Sequence, residues 1–472
     1  MPEVVKVLQH SEAHIRIRTE RGIAMELSER FTFTVPGWNF MPAAKFGWDG
    51  KIRLFDVNKG LLYAGLKKRV EDYCKEAGYV FEDETTFYGR EYVETKTSIT
   101  PYQYQIDTVK TCIEKGRRLV LSPTGSGKSL VIYKLIQQYS DMNVLIIVPT
   151  IQLVSQMTKD FISYGCEEPI HGITGGVSKD SNARIVVTTW QSITKVSSEW
   201  LAQYPCIIVD EAHTAKAKSI SSIMEKAVRS PYRFGFTGTL DGTLTNQMVL
   251  EGLFGPVYKA TTTAELIKDK KLSPVDIVAI LLEYSDEYKK VGSKLKYADE
   301  MKFLINNPAR LKVVCDMVLA TKGASLVLFQ YKTHGQAMYD YISSKTERPV
   351  FLIHGGIDII ERELARESVA DQDPILVASY GTTQAGINAP NLRNLFITGP
   401  TKSVIRLLQS LGRVVRLSNG KLKARLFDIG DDLRYGQKVN HTLRHFNHRL
   451  KIYSTEGFDY KNIKIDLTKV KV

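Results

Sequence analysis

Long apolar runs are missing from this chain: no stretch approaches the eighteen or so residues that would span a bilayer. The opening Met1-Pro2-Glu3 lacks the basic and apolar segments of a secretory signal. Cysteine is scarce. The five present (Cys74, Cys112, Cys166, Cys206, Cys315) are odd in number, far apart, and include no Cys-x-x-Cys pair. That pattern argues against a disulfide framework or a zinc ribbon and suits a reducing compartment. No low-complexity segment or short-period repeat appears. A cytoplasmic protein without a membrane segment is expected, metal-free apart from any ion carried by a nucleotide.

What is present is enough chain for two or three domains, at 472 residues. Hydrophobic residues at 43% and charged residues at 24% match an ordinary globular protein. The net charge of +13 is unevenly placed. Residues 1–97 carry 15 Lys and Arg against 15 Asp and Glu, whereas residues 401–472 carry 16 against 6. An excess gathered near one end fits a surface that meets phosphate backbones, or a solubilising tail.

Pattern divides the chain further. In residues 1–97, Val4 to Leu8 and His14 to Arg18 alternate like half-buried strands, and Lys51 to Phe55 follows an Asp49-Gly50 turn. Leu66 to Ala77 has helical spacing and ends at Gly78. Glu91 to Ser98 is polar and reads as a linker. From residue 98, short apolar runs alternate with amphipathic segments: Arg118–Leu121, Val144–Val148, Arg184–Thr188, Cys206–Val209 and Phe234–Phe236. A second series follows past residue 300: Ser325–Phe329, Val350–Ile353, Ile375–Ala378, Leu395–Thr398 and Arg425–Ile429. Near-continuous apolar strands suit parallel sheets covered on both faces. The expected fold is α/β, with a small α+β domain (1–97), two lobes (98–270 and 271–440) and a basic terminal segment (441–472). Tyr284 to Pro308 reads as a connecting segment.

The strongest local signal is Ser122-Pro123-Thr124-Gly125-Ser126-Gly127-Lys128-Ser129, between a strand and a helix (Leu130 to Gln138). Gly125 and Gly127 can turn successive N–H groups toward an anion, and the helix N-terminus adds positive potential. Thr124, Gly125, Ser126, Gly127, Lys128 and Ser129 are therefore candidate nucleotide ligands. Lys128 suits the β- and γ-phosphates and Ser129 suits Mg²⁺. Ser122 stands where such loops usually begin with glycine. Downstream, the apolar Cys206-Ile207-Ile208-Val209 delivers Asp210-Glu211-Ala212-His213 to a strand's carboxyl end. Asp210 is the candidate Mg²⁺ holder, and Glu211 the group that orients or deprotonates water. Loop and acid pair in this order indicate an ATPase using ATP and Mg²⁺.

Further segments follow in a characteristic order. Tyr104-Gln105, with Gln103 as a competing register, precedes the loop; Val148-Pro149-Thr150, Thr188-Thr189-Trp190-Gln191 and Thr237-Gly238-Thr239 come after it. Ser379 to Asn388 with Gly386, then Gln409 to Arg416, lie in the second lobe. Together with Asp-Glu-Ala-His, these resemble the ordered motifs of superfamily 2 DExH helicases. The resemblance implies two RecA-like P-loop lobes. It also implies adenine contacts from Tyr104 and Gln105, a nucleotide role for Gly386, and arginine fingers from Arg413 and Arg416 of the far lobe. Such a finger is worth roughly 10³–10⁵ in turnover.

Across nearly its whole length the chain is similar to phage UvsW-type recombination and repair helicases, relatives of RecG-like branch-migration motors. The likeness extends through Phe46-Gly47-Trp48-Asp49-Gly50-Lys51-Ile52-Arg53-Leu54. It implies a DNA-stimulated ATPase acting on forks, D-loops and Holliday junctions without sequence preference, in host cytoplasm. Thr150, Thr188, Thr189 and Thr382 are candidates for gripping phosphates, each equally readable as a helix cap or strand end. Lys438 and Arg449 are candidate backbone contacts in the basic region, and Lys51 and Arg53 in the hairpin. Trp48 reads as hairpin core. His441, His445 and His448 fall at helical spacing without an acidic or Cys partner nearby, so they read as a basic face rather than a metal site. An RNA helicase, a restriction-system motor subunit and an ATP-gated clamp without translocation are the alternatives.

Overall fold

The computed structural model describes residues 3–35, 38–40, 45–86, 88–123, 125–213, 217–238, 240, 244–269, 271, 275–354, 373–380, 392–399, 424–455 and 457–471. Thr124, Thr239, Thr382, Gly386, Arg413 and Arg416 lie outside the described residues. The chain divides into two compact units, Met1–Thr261 and Thr262–Val472.

In the first unit, β1 (Val4–Gln9) pairs antiparallel with β2 (His14–Arg18), as period-two alternation anticipates. A small hairpin of β3 (Thr32–Thr34) and β4 (Lys51–Arg53) stands apart. β5 (Leu61–Tyr63) joins β2, and β6 (Val80–Glu84) joins β1 in parallel. Helices Arg21–Arg30 and Lys67–Ala77 cover this sheet, the second ending at Gly78, whose φ of +80° suits a residue without Cβ. Val5, Val7, Ile15, Ile17, Leu27, Leu66 and Val70 form its own core.

The small sheet is fastened to the rest of the unit. Glu12 accepts from Arg117 at 2.6 Å and from the Tyr88 hydroxyl at 2.5 Å. Arg69 forks onto Glu251 at 2.5 and 2.9 Å, and the Tyr63 hydroxyl meets Glu225. Gly65 lies so close to the helix Leu244–Phe254 that a Cβ there would fall 2.0 Å from the Glu251 carbonyl. The segment expected as a linker is strapped down as well. Val93 exchanges bonds with Gln138, Thr95 and Lys96 with Gln137, and the buried Lys134 donates to the Thr95 carbonyl at 2.9 Å.

The larger sheet of this unit comprises β7 (Arg117–Leu121), β8 (Val144–Val148), β9 (Ile170–Ile173), β10 (Ile185–Thr189), β11 (Cys206–Val209), β12 (Tyr232–Thr237) and β13 (Val257–Lys259). All pairs are parallel, in the order β13-β7-β12-β11-β8-β10-β9. Both faces are covered, so β8, β10 and β11 are buried at every position. The register sets Thr237 beside Leu121 and Val209 beside Gly235, which brings the carboxyl ends of β7, β12 and β11 level.

The second unit is built on β14 (Val275–Glu283), β15 (Ser325–Phe329), β16 (Val350–Ile353), β17 (Ile375–Ser379), β18 (Asn394–Ile397), β19 (Ala424–Asp432) and β20 (Tyr460–Asp466). These are parallel in the order β16-β17-β15-β18-β19-β14-β20. Three expectations are corrected here. The sheet begins at Val275, well before residue 300. The supposed connector folds into helices Asp286–Gly292 and Tyr297–Ile305. Residues 441–472 are no separate tail, because the helix His441–Thr455 packs its Phe446 ring against Gly430 of β19 and β20 pairs with β14.

Buried charge organises this unit. Glu300, fully buried, accepts from the Asn440 amide, the backbone N–H groups of His441 and Thr442, and the Thr442 hydroxyl, at 2.6–3.0 Å. It thereby caps a helix 140 residues away in sequence. Arg310 forks onto Asp431 at 2.8 and 3.0 Å. Nearby His334 is buried, and its Nε2 has no hydrogen-bond partner. Burial, with a smaller contribution from the Arg310 charge, pushes its pKa down to about 3.

The native ring thus stays neutral while the unfolded ring takes a proton below about pH 6.5. Unfolding then binds a proton, so this contribution to stability is present above pH 6.5. It falls by about 1.4 kcal/mol per unit as pH drops toward 3. Urea unfolding midpoints between pH 7 and pH 4.5 are expected to fall less steeply for His334→Leu than for the native chain; parallel slopes would contradict this assignment.

Candidate active site

The loop leaving β7 is anchored before it turns. Ser122 N–H donates to the Thr237 carbonyl at 2.9 Å, and the Ser122 and Ser126 hydroxyls lie 2.6 Å apart. Gly125 and Gly127 hold φ of +83° and +74°, a region open to glycine. Two side chains from the preceding helix, Gln103–Lys115, then seize one carbonyl. The Tyr104 hydroxyl and the Gln105 Nε2 donate to Ser126 O at 2.7 and 2.9 Å. Burial raises the Tyr104 phenol above its ordinary range, which keeps it a donor. That carbonyl is thereby turned away from the helix that opens at Lys128.

Gln105, expected to contact adenine, also holds the loop itself. Its Oε1 accepts from Tyr102 N–H at 2.8 Å and its Nε2 holds Ser126, so its amide faces the protein's own backbone. Gln103, the competing register, is exposed and donates to Asp107 at 2.8 Å.

The acid pair arrives as β11 ends. Asp210 N–H donates to the Ile147 carbonyl of β8, and Glu211 N–H to Asp210 Oδ1, both at 2.9 Å. Glu211 has φ of +49°, a left-handed backbone uncommon for glutamate and a sign of local strain. Its carboxylate lies 3.3 Å from Lys128 Nζ, each side chain about nine-tenths covered. The lysine thus offsets the charge of the buried Glu211 carboxylate. His213 links this turn to β12 through Thr237, Nδ1 to Oγ1 at 2.7 Å. Loop, lysine and acid pair therefore share one end of one sheet, as the sequence order anticipated.

The donor set fits Mg²⁺. Ser129 and Asp210 offer one hydroxyl and one carboxylate, the sparse oxygen set that suffices when substrate phosphates and water complete the shell. Among the described residues no group of three or more His, Cys, Asp or Glu forms a metal cage. Ser129 Oγ lies 2.8 Å from the Tyr164 hydroxyl. Nothing in the sequence marked Tyr164, which caps the end of a helix 35 residues away.

The candidate strand-gripping residues separate. Thr150 and Thr189 cap the helices Ile151–Ser163 and Trp190–Ile193 at the ends of adjacent strands, accepting from Leu153 and Ser192 N–H. Thr188 is fully buried and donates to the Ile173 carbonyl at 3.2 Å, so it offers nothing to a phosphate. Arg449 is corrected on the same ground. It is fully buried, forks onto the two oxygens of Asp428 at 2.6 and 2.8 Å, and shares that carboxylate with the Tyr453 hydroxyl. Lys438 is exposed in a turn bridged to Tyr435. Arg53 is exposed but paired with Asp49 at 2.5 Å.

Comparison with known proteins fixes the family. Sequence models match residues 4–83 (DNA helicase UvsW, N-terminal), 98–242 (type III restriction enzyme, res subunit) and 309–418 (helicase conserved C-terminal domain). The ATP-dependent DNA helicase uvsW of Enterobacteria phage T4 is 32% identical over 97% of this chain and 98% of its own. The chain belongs to the UvsW family of ATP-dependent DNA helicases. A DNA 3'-5' translocase of Sulfurisphaera tokodaii is 26% identical over 68% of this chain and 80% of its own. The ATP-dependent type ISP restriction-modification enzyme LlaBIII superposes with a TM-score of 0.57 at 15% identity, over 80% of this chain and 32% of that one. That likeness concerns fold alone: the two seven-stranded sheets of this helicase are RecA-like lobes. No helix among the described residues is long and apolar enough to cross a membrane.

A Cβ at position 127 would lie 2.4 Å from Gln105 Nε2, on a backbone that non-glycine residues adopt at a cost of about 1–3 kcal/mol. Gly127→Ala is expected to raise the Kd for a fluorescent ADP analogue at least tenfold and to lower the melting temperature by a few degrees, the chain remaining folded at the assay temperature. An unaltered Kd would show that the loop's conformation does not depend on this clamp.

Proposed function

We propose that this helicase uses ATP hydrolysis at the Ser122–Ser129 loop to unwind and branch-migrate forked, D-loop or Holliday-junction DNA in phage recombination, repair or replication, within the host cytoplasm. The observation that carries the reading is the span of the T4 likeness, 97% of this chain, so that the N-terminal unit as well as both lobes is shared. A protein reading only single strands would have no evident use for a small sheet fastened to the first lobe at Glu12, Arg69 and Gly65.

In this reading Lys128 exchanges Glu211 for the β- and γ-phosphates, and the loop N–H groups cradle the same oxygens. Ser129 and Asp210 hold the cation; Mg²⁺, when bound, supplies neutralisation of the charge that develops on the phosphoryl oxygens. Glu211, released from Lys128, orients the attacking water and receives its proton, with His213 fixed by Thr237 beside it. Arg413 and Arg416 serve as arginine fingers, and Gly386 contacts the nucleotide with them. Thr150, Thr189 and Thr382, with neighbouring N–H groups, bind the sugar-phosphate backbone without reading bases, and Lys438 adds a phosphate contact.

The test compares ATPase stimulation and unwinding on a synthetic Holliday junction, a fork, a linear duplex and an RNA hairpin. Junction and fork are expected to stimulate turnover at least tenfold more than linear duplex, with strand displacement requiring ATP. Preference for the hairpin would make it an RNA helicase. Stimulated hydrolysis without displacement would make it a clamp.

A further inference from the structure

One polar contact at the candidate active site comes from a residue outside every motif of the chain. Tyr164 follows the last turn of the helix Ile151–Ser163, and its hydroxyl lies 2.8 Å from Ser129 Oγ. Ser129 stands in the first turn of the helix Lys128–Gln138, beside Lys128. A chance contact between two hydroxyls would leave the phenol loosely held. Tyr164 is held at its backbone and at its ring.

Its carbonyl accepts from Ser98 N–H at 3.0 Å, and its own N–H donates to the Asp160 carbonyl at 3.0 Å. The ring centre lies 6.0 Å from that of Tyr133. Tyr133 is buried and stands one turn after Ser129, so the two share a face of their helix. Gly165 follows with φ of +99°, the left-handed turn that lets the chain leave the helix beside Ser98. Ser98 in turn ends the segment that Lys134, Gln137 and Gln138 strap down. Ring and backbone anchors of Tyr164 therefore both trace back to the helix that carries Ser129. The spacing between phenol and serine hydroxyl is fixed by packing rather than by the bond alone.

A serine hydroxyl has one proton and two lone pairs. To serve a cation it must turn a lone pair inward and send its proton elsewhere, and a freely rotating hydroxyl does so only part of the time. A phenol oxygen held at 2.8 Å can accept that proton and stop the rotation. A hydroxyl polarised by a cation also donates more strongly. Partners standing behind a metal ligand in this way change metal affinity by about 10–100-fold. We infer that Tyr164 is a positioning residue for the cation site: its phenol oxygen accepts the Ser129 proton and leaves a lone pair of Ser129 Oγ for Mg²⁺. This deepens the proposed assignment of Ser129 to the cation and rests on it.

The test reads metal binding directly, on the full chain and without DNA. Mn²⁺ stands in for Mg²⁺, and its free and bound fractions are measured by electron paramagnetic resonance with saturating ADP. The Kd of a fluorescent ADP analogue is measured separately in EDTA. Tyr164→Phe keeps the ring against Tyr133 and removes only the oxygen. It is expected to weaken Mn²⁺ binding about tenfold, with the metal-free ADP Kd within about twofold of native. Ser129→Ala should weaken Mn²⁺ binding at least as much, and Tyr164→Phe added to Ser129→Ala should change nothing further. Native Mn²⁺ affinity in Tyr164→Phe, beside an impaired Ser129→Ala, overturns the inference alone. Tighter Mn²⁺ binding overturns it as well, by showing that the phenol donates to Ser129 and competes with the cation. An equal loss of metal-free ADP binding would reduce Tyr164 to a packing residue. Native Mn²⁺ affinity in Ser129→Ala would sink the cation assignment itself, and the inference with it.

Discussion

One carbonyl oxygen governs the candidate active site. Ser126 O is held from the same side by the Tyr104 hydroxyl and the Gln105 amide, both from the helix that precedes β7. A loop that must direct N–H groups inward has to turn its carbonyls outward, and each outward carbonyl needs a donor. Here the donors come from a buried glutamine and a half-buried tyrosine. Gln105 simultaneously caps its own helix through Tyr102, so helix start and loop shape are set by one side chain. Everything further along depends on that shape: where Lys128 begins its helix, and how near it comes to Glu211.

Charge is arranged differently in the two units. In the first, Lys128 and Glu211 pair at 3.3 Å where the helix Lys128–Gln138 begins. In the second, Arg310 with Asp431, Arg449 with Asp428 and Glu300 with the Asn440–Thr442 backbone are fully enclosed. Removing one partner of such an enclosed pair costs about 3–5 kcal/mol, because the other is left charged and uncompensated. These groups join β19, the helix Tyr297–Ile305 and the helix His441–Thr455 into one body.

Much of this was legible in the sequence, for a physical reason. Strands buried on both faces must be apolar throughout, so Val144–Val148, Cys206–Val209 and Ser325–Phe329 appear with the bounds their composition suggests. The loop and the acid pair were legible because phosphate and metal chemistry constrain residue type position by position. What was not legible depends on partners distant in the chain. β20 exposes four successive residues and shows no apolar period; β14 alone gives it a place. Arg449 is indistinguishable by sequence from a surface cation until Asp428 is seen beneath it, and Thr188 differs from the likewise buried Thr189 only in the partner its hydroxyl finds. Gln105 fits an adenine-reading pattern by sequence, and its hold on the loop appears only once Ser126 is seen beside it.

The account stands on Glu211 performing chemistry that binding does not need. The most direct measurement is a single-turnover comparison of native protein and Glu211→Gln, recording nucleotide affinity, fork binding and phosphate release on one preparation. The account predicts nucleotide and fork binding within about threefold of native and phosphate release slowed at least a hundredfold, with fork unwinding lost in proportion. Phosphate release at the native rate from Glu211→Gln would contradict it.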